Sequence, residues 1–231
     1  MTDKTILIVD DERHILTMLE MNMKARGYKS LTAERGDHAL DLALTGEPDL
    51  ILLDVMLPGM DGVEVCRRLK GDERTKRIPV LMVSAKSEGK DKISGLESGA
   101  DDYITKPFNL EELFLRIRAA LRQVELLTAS ASSPLLSLGN LTLDRERFLV
   151  RAGKDKIDLT QTEFRILLTL LQNRGETVSR DCLAKDVFGL VLEEMGRTLD
   201  VHLRNLRKKL GEGGASGCEI ITIRGEGFRV D

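Results

Sequence analysis

The chain has 231 residues, 42% of them hydrophobic and 32% charged, with a net charge of −3. That is the composition of a soluble globular protein with enough apolar material for a real core. Its length suits two domains of about 100–200 residues better than one, and no apolar run approaches the ~18 residues of a membrane span.

The first elements alternate. Lys4 to Val9 reads as a buried strand, followed at once by Asp10, Asp11 and Glu12. Ile15, Met18, Leu19 and Met23 recur at helical spacing, and that helix ends near Gly27. A short strand is predicted over Tyr28 to Leu31 and a helix over about Gly36 to Leu44. The stretch Asp49 to Gly62, DLILLDVMLPGMDG, begins as a strand too uniformly apolar to be half exposed and ends on Asp54 before a Pro58-Gly59 turn. A helix from Gly62 to Leu69 follows, then a strand from Pro79 to Ser84. A fourth helix runs through Ile93 and Leu96 to Gly99, a short strand covers Asp102 to Thr105, and a fifth helix starts near Asn109, after Lys106-Pro107. Five strands alternating with five helices predict an α/β doubly wound parallel sheet, because parallel neighbours need helical crossovers.

In such a sheet the carboxyl ends of the strands share one edge. Asp10 and Asp11, Asp54, Ser84 and Lys106 each lie where a strand ends. Singly, each has a plain explanation: Asp11 could cap the first helix, Ser84 could serve a turn, and Lys106 could be a solvated cation. Their coincidence at successive strand ends favours a site. Three clustered carboxylates repel, and a hard divalent cation with Lys106 balances them; Mg2+ suits a sparse carboxylate site. The arrangement is poised for phosphoryl transfer to a carboxylate.

The motifs ILIVDDE, LLDVMLPGMDG, VLMVSA and GADDYITKPF make residues 1–122 resemble the receiver domain of two-component response regulators. The resemblance implies strand order 2-1-3-4-5, Asp54 as phosphoacceptor for a histidine kinase, and Asp10, Asp11 and the Met56 carbonyl as further Mg2+ ligands. It also implies Ser84 as switch hydroxyl, Lys106 as the phosphate-contacting lysine before a cis proline bond, and Tyr103 as an aromatic that rotates inward. Met56 and Lys86 stand where the family tunes phosphoryl lifetime. In the OmpR/PhoB-type subfamily the fourth helix, fifth strand and fifth helix form a two-fold dimer face. Here that face implies pairs of Lys92 with Glu112, Asp102 with Arg116, and Glu97 or Asp101 with Arg118; Glu112 and Arg116 are also an i,i+4 pair within one helix.

Between Gln123 and Pro134 the pattern breaks, and a linker is predicted over 123–134 with its early residues extending the fifth helix. From Leu135 short alternating strands predict an antiparallel sheet with a hairpin at Gly153-Lys154-Asp155. Thr160 to Glu163 is a capping box opening a helix with Phe164, Leu167, Leu168 and Leu171 on one face. A second helix runs from Ser179 to about Phe188, and a third from Arg197 to Leu210. In the third, Leu199, Leu203, Leu206 and Leu210 form an apolar stripe, and five basic residues stand against one acid. A final hairpin turns at Arg224 to Gly227.

Residues 135–231 resemble the winged helix-turn-helix effector domain of OmpR/PhoB-type transcription factors, through LTQTEFRILLTLL, VSRDCLAKDVFG, RTLDVHLRNLRKKL and TIRGEGFRV. This is an α+β fold that places the basic helix in the major groove of double-stranded DNA. The resemblance implies phosphate contacts by Arg197, His202, Arg204 and Arg207, with Lys208 on the same outward side as Arg204. It implies base reading by Val201 and Asn205, Arg224 in a minor groove, and Thr222 on the backbone. Asn205 departs from relatives with Arg there, and Phe228 from those with Tyr. The loop 189–196 is where some relatives touch RNA polymerase.

The expectation is a cytoplasmic, phosphorylation-activated regulator that dimerises and binds promoter repeats, with no separate substrate turnover. Three cysteines, Cys66, Cys182 and Cys218, suggest no disulfide framework. Residues 1–127 carry 19 basic against 23 acidic side chains (−4), and 128–231 carry 16 against 15 (+1). Two rival classes carry different marks. A dehalogenase-type phosphatase needs Asp-x-Asp after the first strand, where this chain has an adjacent pair. A phosphorylation-independent scaffold usually has a degraded pocket.

Overall fold

The computed structural model describes residues 4–85, 95–129, 135–189 and 195–231. The chain divides into two compact units, Met1–Ile117 and Arg118–Asp231.

The first unit contains β1 (Thr5–Val9), α1 (Arg13–Ala25), β2 (Lys29–Ala33), α2 (Gly36–Thr45), β3 (Leu50–Asp54), α3 (Gly62–Gly71), β4 (Val80–Ser84), β5 (Asp102–Thr105) and the start of α4 (Leu110–Ala129). Its strands form one parallel sheet in the expected order β2-β1-β3-β4-β5. Every residue of β3 and β4 is buried, which is why these strands read as unbroken apolar runs: a parallel sheet is covered by helices on both faces. Strand β2 begins and ends later than its sequence suggests. Tyr28 still donates its N–H to Met23 of α1, so pairing with β1 starts at Thr5↔Lys29 and runs to Val9↔Ala33. Of the predicted fourth helix, residues 95–97 are helical, and 86–94, with Lys86 and Lys92, lie outside the described residues.

Register brings the functional strand ends level. Val9 stands opposite Leu53, Asp54 opposite Val83, and Ser84 opposite Thr105. The Lys106 N–H donates to the Ser84 carbonyl at 2.7 Å, carrying the ladder one residue further. Gly62 is required where α3 meets β3, because a Cβ there would lie 2.1 Å from the Asp54 carbonyl oxygen. Helix α4 continues through 123–129, so the first part of the predicted linker is helical; 130–134 lie outside the described residues.

The second unit opens with the antiparallel sheet β6 (Leu135–Leu138), β7 (Leu141–Asp144), β8 (Leu149–Ala152) and β9 (Asp155–Ile157). Then come α5 (Gln161–Gln172), β10 (Val178–Ser179), α6 (Arg180–Phe188), α7 (Met195–Glu212), β11 (Ile220–Ile223) and β12 (Gly227–Val230). Two-residue β10, too short for a periodicity signal, pairs with β12 and ties the wing hairpin to the start of α6. Phe164 and Leu167 of α5, Leu183 and Val187 of α6, the four leucines of α7, and Phe228 and Val230 of β12 share one core.

The capping box of α5 does more than close a helix end. Glu163, 1% exposed, accepts the Thr160 N–H at 2.8 Å and also the Lys209 ammonium of α7 at 2.7 Å. Glu163→Ala should therefore remove a cap and a partly buried ion pair together, costing about 2 kcal/mol. Urea unfolding followed by circular dichroism tests this; a loss below ~0.5 kcal/mol would show that Lys209 contributes nothing.

Candidate functional site

At the carboxyl edge of the first sheet Asp10 and Asp54 are 3% and 4% exposed, Ser84 is fully buried, and Asp11 is exposed. Asp11 does not cap α1, whose cap position is Glu12 without any side-chain bond. The carboxylates of Asp10, Asp11 and Asp54 each present an oxygen within 4.8 Å of the others. Lys106 Nζ donates to Asp10 Oδ2 at 2.7 Å and to Asp54 Oδ2 at 2.5 Å, with Glu12 Oε1 at 3.6 Å. The remaining Asp10 oxygen accepts the Glu12 N–H, and Asp54 Oδ1 accepts the Met56 N–H at 2.8 Å. Burial pushes the Asp10 carboxyl above its ordinary range, against the lowering pull of Lys106. For Lys106, burial acts to lower the pKa, but the bonds to Asp10 and Asp54 outweigh it and the ammonium is held more firmly than usual.

The oxygen-only donor set and its charge fit a hard divalent cation. Three carboxylates and one ammonium sum to −2 before a cation enters. Met56 lies at the mouth, 54% exposed. The bond Lys106-Pro107 is cis. Tyr103 is fully buried beside Gly95, where an added Cβ would meet Met82 Sδ at 2.6 Å and the Tyr103 ring at 3.3 Å. The ring is thus turned inward, not half exposed as a lone strand aromatic would be.

Around β5 and α4 the structure corrects several expectations. Asp101 faces inward: its carboxylate accepts the Lys70 ammonium at 2.7 Å and the Val80 N–H at 2.9 Å. It is not an exposed partner for Arg118. Arg116 is 4% exposed and bridges Asp102 (2.6 Å) and Glu112 (2.6 Å) of its own chain, so the i,i+4 alternative is the one realised here. Glu97 and Arg118 are exposed, and Glu112 is half-buried. Leu115, not singled out in the sequence, is 49% exposed on α4.

On α7 the stripe of Leu199, Leu203, Leu206 and Leu210 is buried as expected, but Thr198, Val201 and His202 are buried too. The buried arc is wider than the leucine stripe because α6 lies against the first half of α7. Phe188 sits 6.2 Å from the His202 ring, and Arg180 donates to Gly196 O at 3.2 Å and Asp200 Oδ1 at 2.6 Å. At 100° per residue His202 is only 40° from Leu206, which is why, at 1% exposure, it is a core side chain and not a phosphate contact. Val201, 8% exposed, is likewise not the outward-facing base reader expected. The exposed surface includes Arg197, Asp200, Arg204, Arg207 and Lys208, with Asn205 half-buried beside them. Thr222 and Arg224 are exposed on the wing. Arg207 is not wholly free for DNA, since it donates to Ile220 O at 2.9 Å and Thr222 Oγ1 at 2.8 Å. Asp200 and Arg180 form an ion pair that joins α6 to α7, a contact the linear pattern does not announce. Asp200 shares a helix face with Arg197 and Arg204.

Comparison with known proteins agrees with this geometry. Residues 6–118 match the family described as response regulator receiver domain, and residues 153–230 match that described as transcriptional regulatory protein, C terminal. The chain is 43% identical to the DNA-binding dual master transcriptional regulator RpaA of Synechocystis sp., over 98% of this chain and 94% of that protein. It is 39% identical to the alkaline phosphatase synthesis transcriptional regulatory protein PhoP of Bacillus subtilis, over 99% and 97%. Among solved structures, a mutant of RitR superposes with a TM-score of 0.80 at 28% identity, over 99% of both chains. No described helix is long and apolar enough to cross a membrane.

Proposed function

Because the chain belongs to the OmpR/PhoB-type response regulators, transcriptional regulators with a receiver and a DNA-binding domain, we propose that phosphorylation of Asp54 switches its binding to DNA. The observation that carries this reading is the convergence of Asp10, Asp11, Asp54 and Lys106 on one sheet edge. A partner histidine kinase supplies the phosphoryl group. An Asp54 carboxylate oxygen attacks phosphorus, the P–N bond to the kinase imidazole breaks, and its electron pair returns to that ring. Asp10, Asp11 and Asp54, with the Met56 carbonyl, would hold Mg2+, which when bound neutralises charge on the phosphoryl oxygens. Lys106, already hydrogen-bonded to Asp54, is placed to contact one of those oxygens, and Ser84 to donate to another. The inward Tyr103 is the rotamer that accompanies Ser84 moving toward the phosphoryl group.

Phosphorylated receivers then dimerise through the face that presents Glu97, Leu115 and Arg118, and dimerisation raises the effective concentration of paired effector domains on promoter repeats. Polymerase contact through the loop 189–196 would come from a segment mostly outside the described residues. The protein acts in the cytoplasm, and its receiver catalyses its own modification without turning over a separate substrate.

The test is incubation with a small phosphodonor, with and without Mg2+. Intact-mass analysis should show one phosphoryl group, present only with Mg2+ and absent in Asp54→Ala; labelling elsewhere would overturn the reading. Mg2+ alone at ten times its dissociation constant should raise unfolding free energy by about 1.4 kcal/mol. Asp11→Ala should lose that gain in a thermal melt.

On the DNA side, Arg204→Ala should weaken binding to every sequence and reduce the salt slope by about one unit. Asn205→Ala should change base preference in a selected-site profile, because amide side chains read adenine. An unchanged profile would remove Asn205 from base reading.

A further inference from the structure

The family resemblance makes Arg207 one more cation for the phosphate backbone, but its side chain is bonded to the wing. Its Nε donates to the Ile220 carbonyl at 2.9 Å and its Nη2 to Thr222 Oγ1 at 2.8 Å. Both acceptors lie on β11, the first strand of the wing, whereas Arg207 itself lies on α7 one residue beyond fully buried Leu206.

We propose that Arg207 is a positioning residue: it fastens the wing to the recognition helix and sets the distance between the major-groove and minor-groove readers. This rests on the DNA-binding reading above and adds to it a second role for one cation of α7.

The geometry explains why arginine serves here. Two parallel N–H groups of one planar fork span a carbonyl and a hydroxyl two residues apart on a strand, a reach a lysine ammonium cannot reproduce. The fastening is close to the wing tip. Arg224 follows Thr222 by two residues, a chain path of about 7 Å at strand rise, and the turn between the strands is closed by the Glu226 N–H on Ile223 O. The opposite strand is held separately, since β12 pairs with β10, with Phe228 opposite Val178. The wing is therefore held by the ladders of β12 with β10 and β11 and by Ile220 in the core, and Arg207 adds a side-chain tie from α7 to β11. Burial lowers the Arg207 pKa from its ordinary value, yet guanidinium stays charged in proteins. Its Nη1 makes none of these bonds, so a phosphate contact by the same residue is compatible with the fastening.

Arg207→Lys separates the two roles, because it keeps the charge and loses the fork; Thr222→Val removes one acceptor and leaves Arg207 intact. The first measurement is amide hydrogen exchange over residues 220–230 in the free full-length protein. Both variants should exchange faster there, Arg207→Lys by about fivefold or more, the factor expected for one net hydrogen bond. Unchanged exchange in both would overturn the proposal without reference to DNA. The second measurement is selection of binding sites from random-sequence duplexes. Arg207→Lys should keep the base preference of the major-groove half and lose that of the base pairs under the wing. A uniform loss across the site, with an unchanged profile, would mark Arg207 as a phosphate contact alone. Failure of the wild-type protein to select any site would count against the DNA-binding reading, while the exchange result would still decide the fastening.

Discussion

Asp54→Ala is expected to abolish the phosphodonor-dependent increase in DNA binding, an increase of tens to a hundredfold for a coupling of about 2–3 kcal/mol. The substitution removes the acceptor oxygen and little of the scaffold. Lys106 keeps its bond to Asp10 at 2.7 Å, so no cation is stranded in a buried place. The close packing of α3 on β3 runs through the Asp54 carbonyl, the Gly62 N–H and the Val55 carbonyl, all backbone groups. A folded protein that no longer responds is therefore the anticipated phenotype. Gel-shift titrations with and without phosphodonor read it directly, and a variant still stimulated as strongly as wild type would remove Asp54 from the mechanism.

Arg116→Ala should carry the largest cost to stability, about 3 kcal/mol. Arg116 has a side chain only 2% exposed, with one nitrogen 2.6 Å from Asp102 and another 2.6 Å from Glu112. Removing it leaves the Asp102 carboxylate, itself only 10% exposed, without its guanidinium and with the Tyr103 N–H still donating to it. Breaking a buried pair by deleting one partner typically costs about 3–5 kcal/mol, and half-exposed Glu112 argues for the lower end. Arg118→Ala, two residues away and exposed, should change stability by less than about 0.5 kcal/mol. Urea unfolding of the unphosphorylated protein compares the two. Equal, small losses would mean that Arg116 serves an intersubunit contact and does not hold its own receiver together.

The contrast between Asp54 and Arg116 shows which kind of information a linear reading carries. Asp10, Asp11, Asp54, Ser84 and Lys106 could be assembled before any coordinates because alternation dictated a parallel sheet, and a parallel sheet puts all strand ends on one edge. The capping box at Thr160 and the leucine stripe of α7 were legible because each follows from a local period or spacing, whereas the strand order 2-1-3-4-5 was implied by the family resemblance. Asp101 and His202 were not. Asp101 looked like a surface acid until Lys70, from a helix thirty-one positions earlier, was found against it. His202, implied by the resemblance as a phosphate contact, is covered by α6 on that side of α7.

Chain pattern thus sufficed for the two folds, the acidic pocket and the basic helix, since hydrophobic periodicity and strand-end chemistry are properties of neighbours in sequence. What each polar side chain does was decided by packing. Arg116 became an internal tie, Arg207 a bond to the wing, and Glu163 a junction between α5 and α7, because a charge takes the nearest partner in space once its solvent is removed. Sequence spacing gives no measure of that distance.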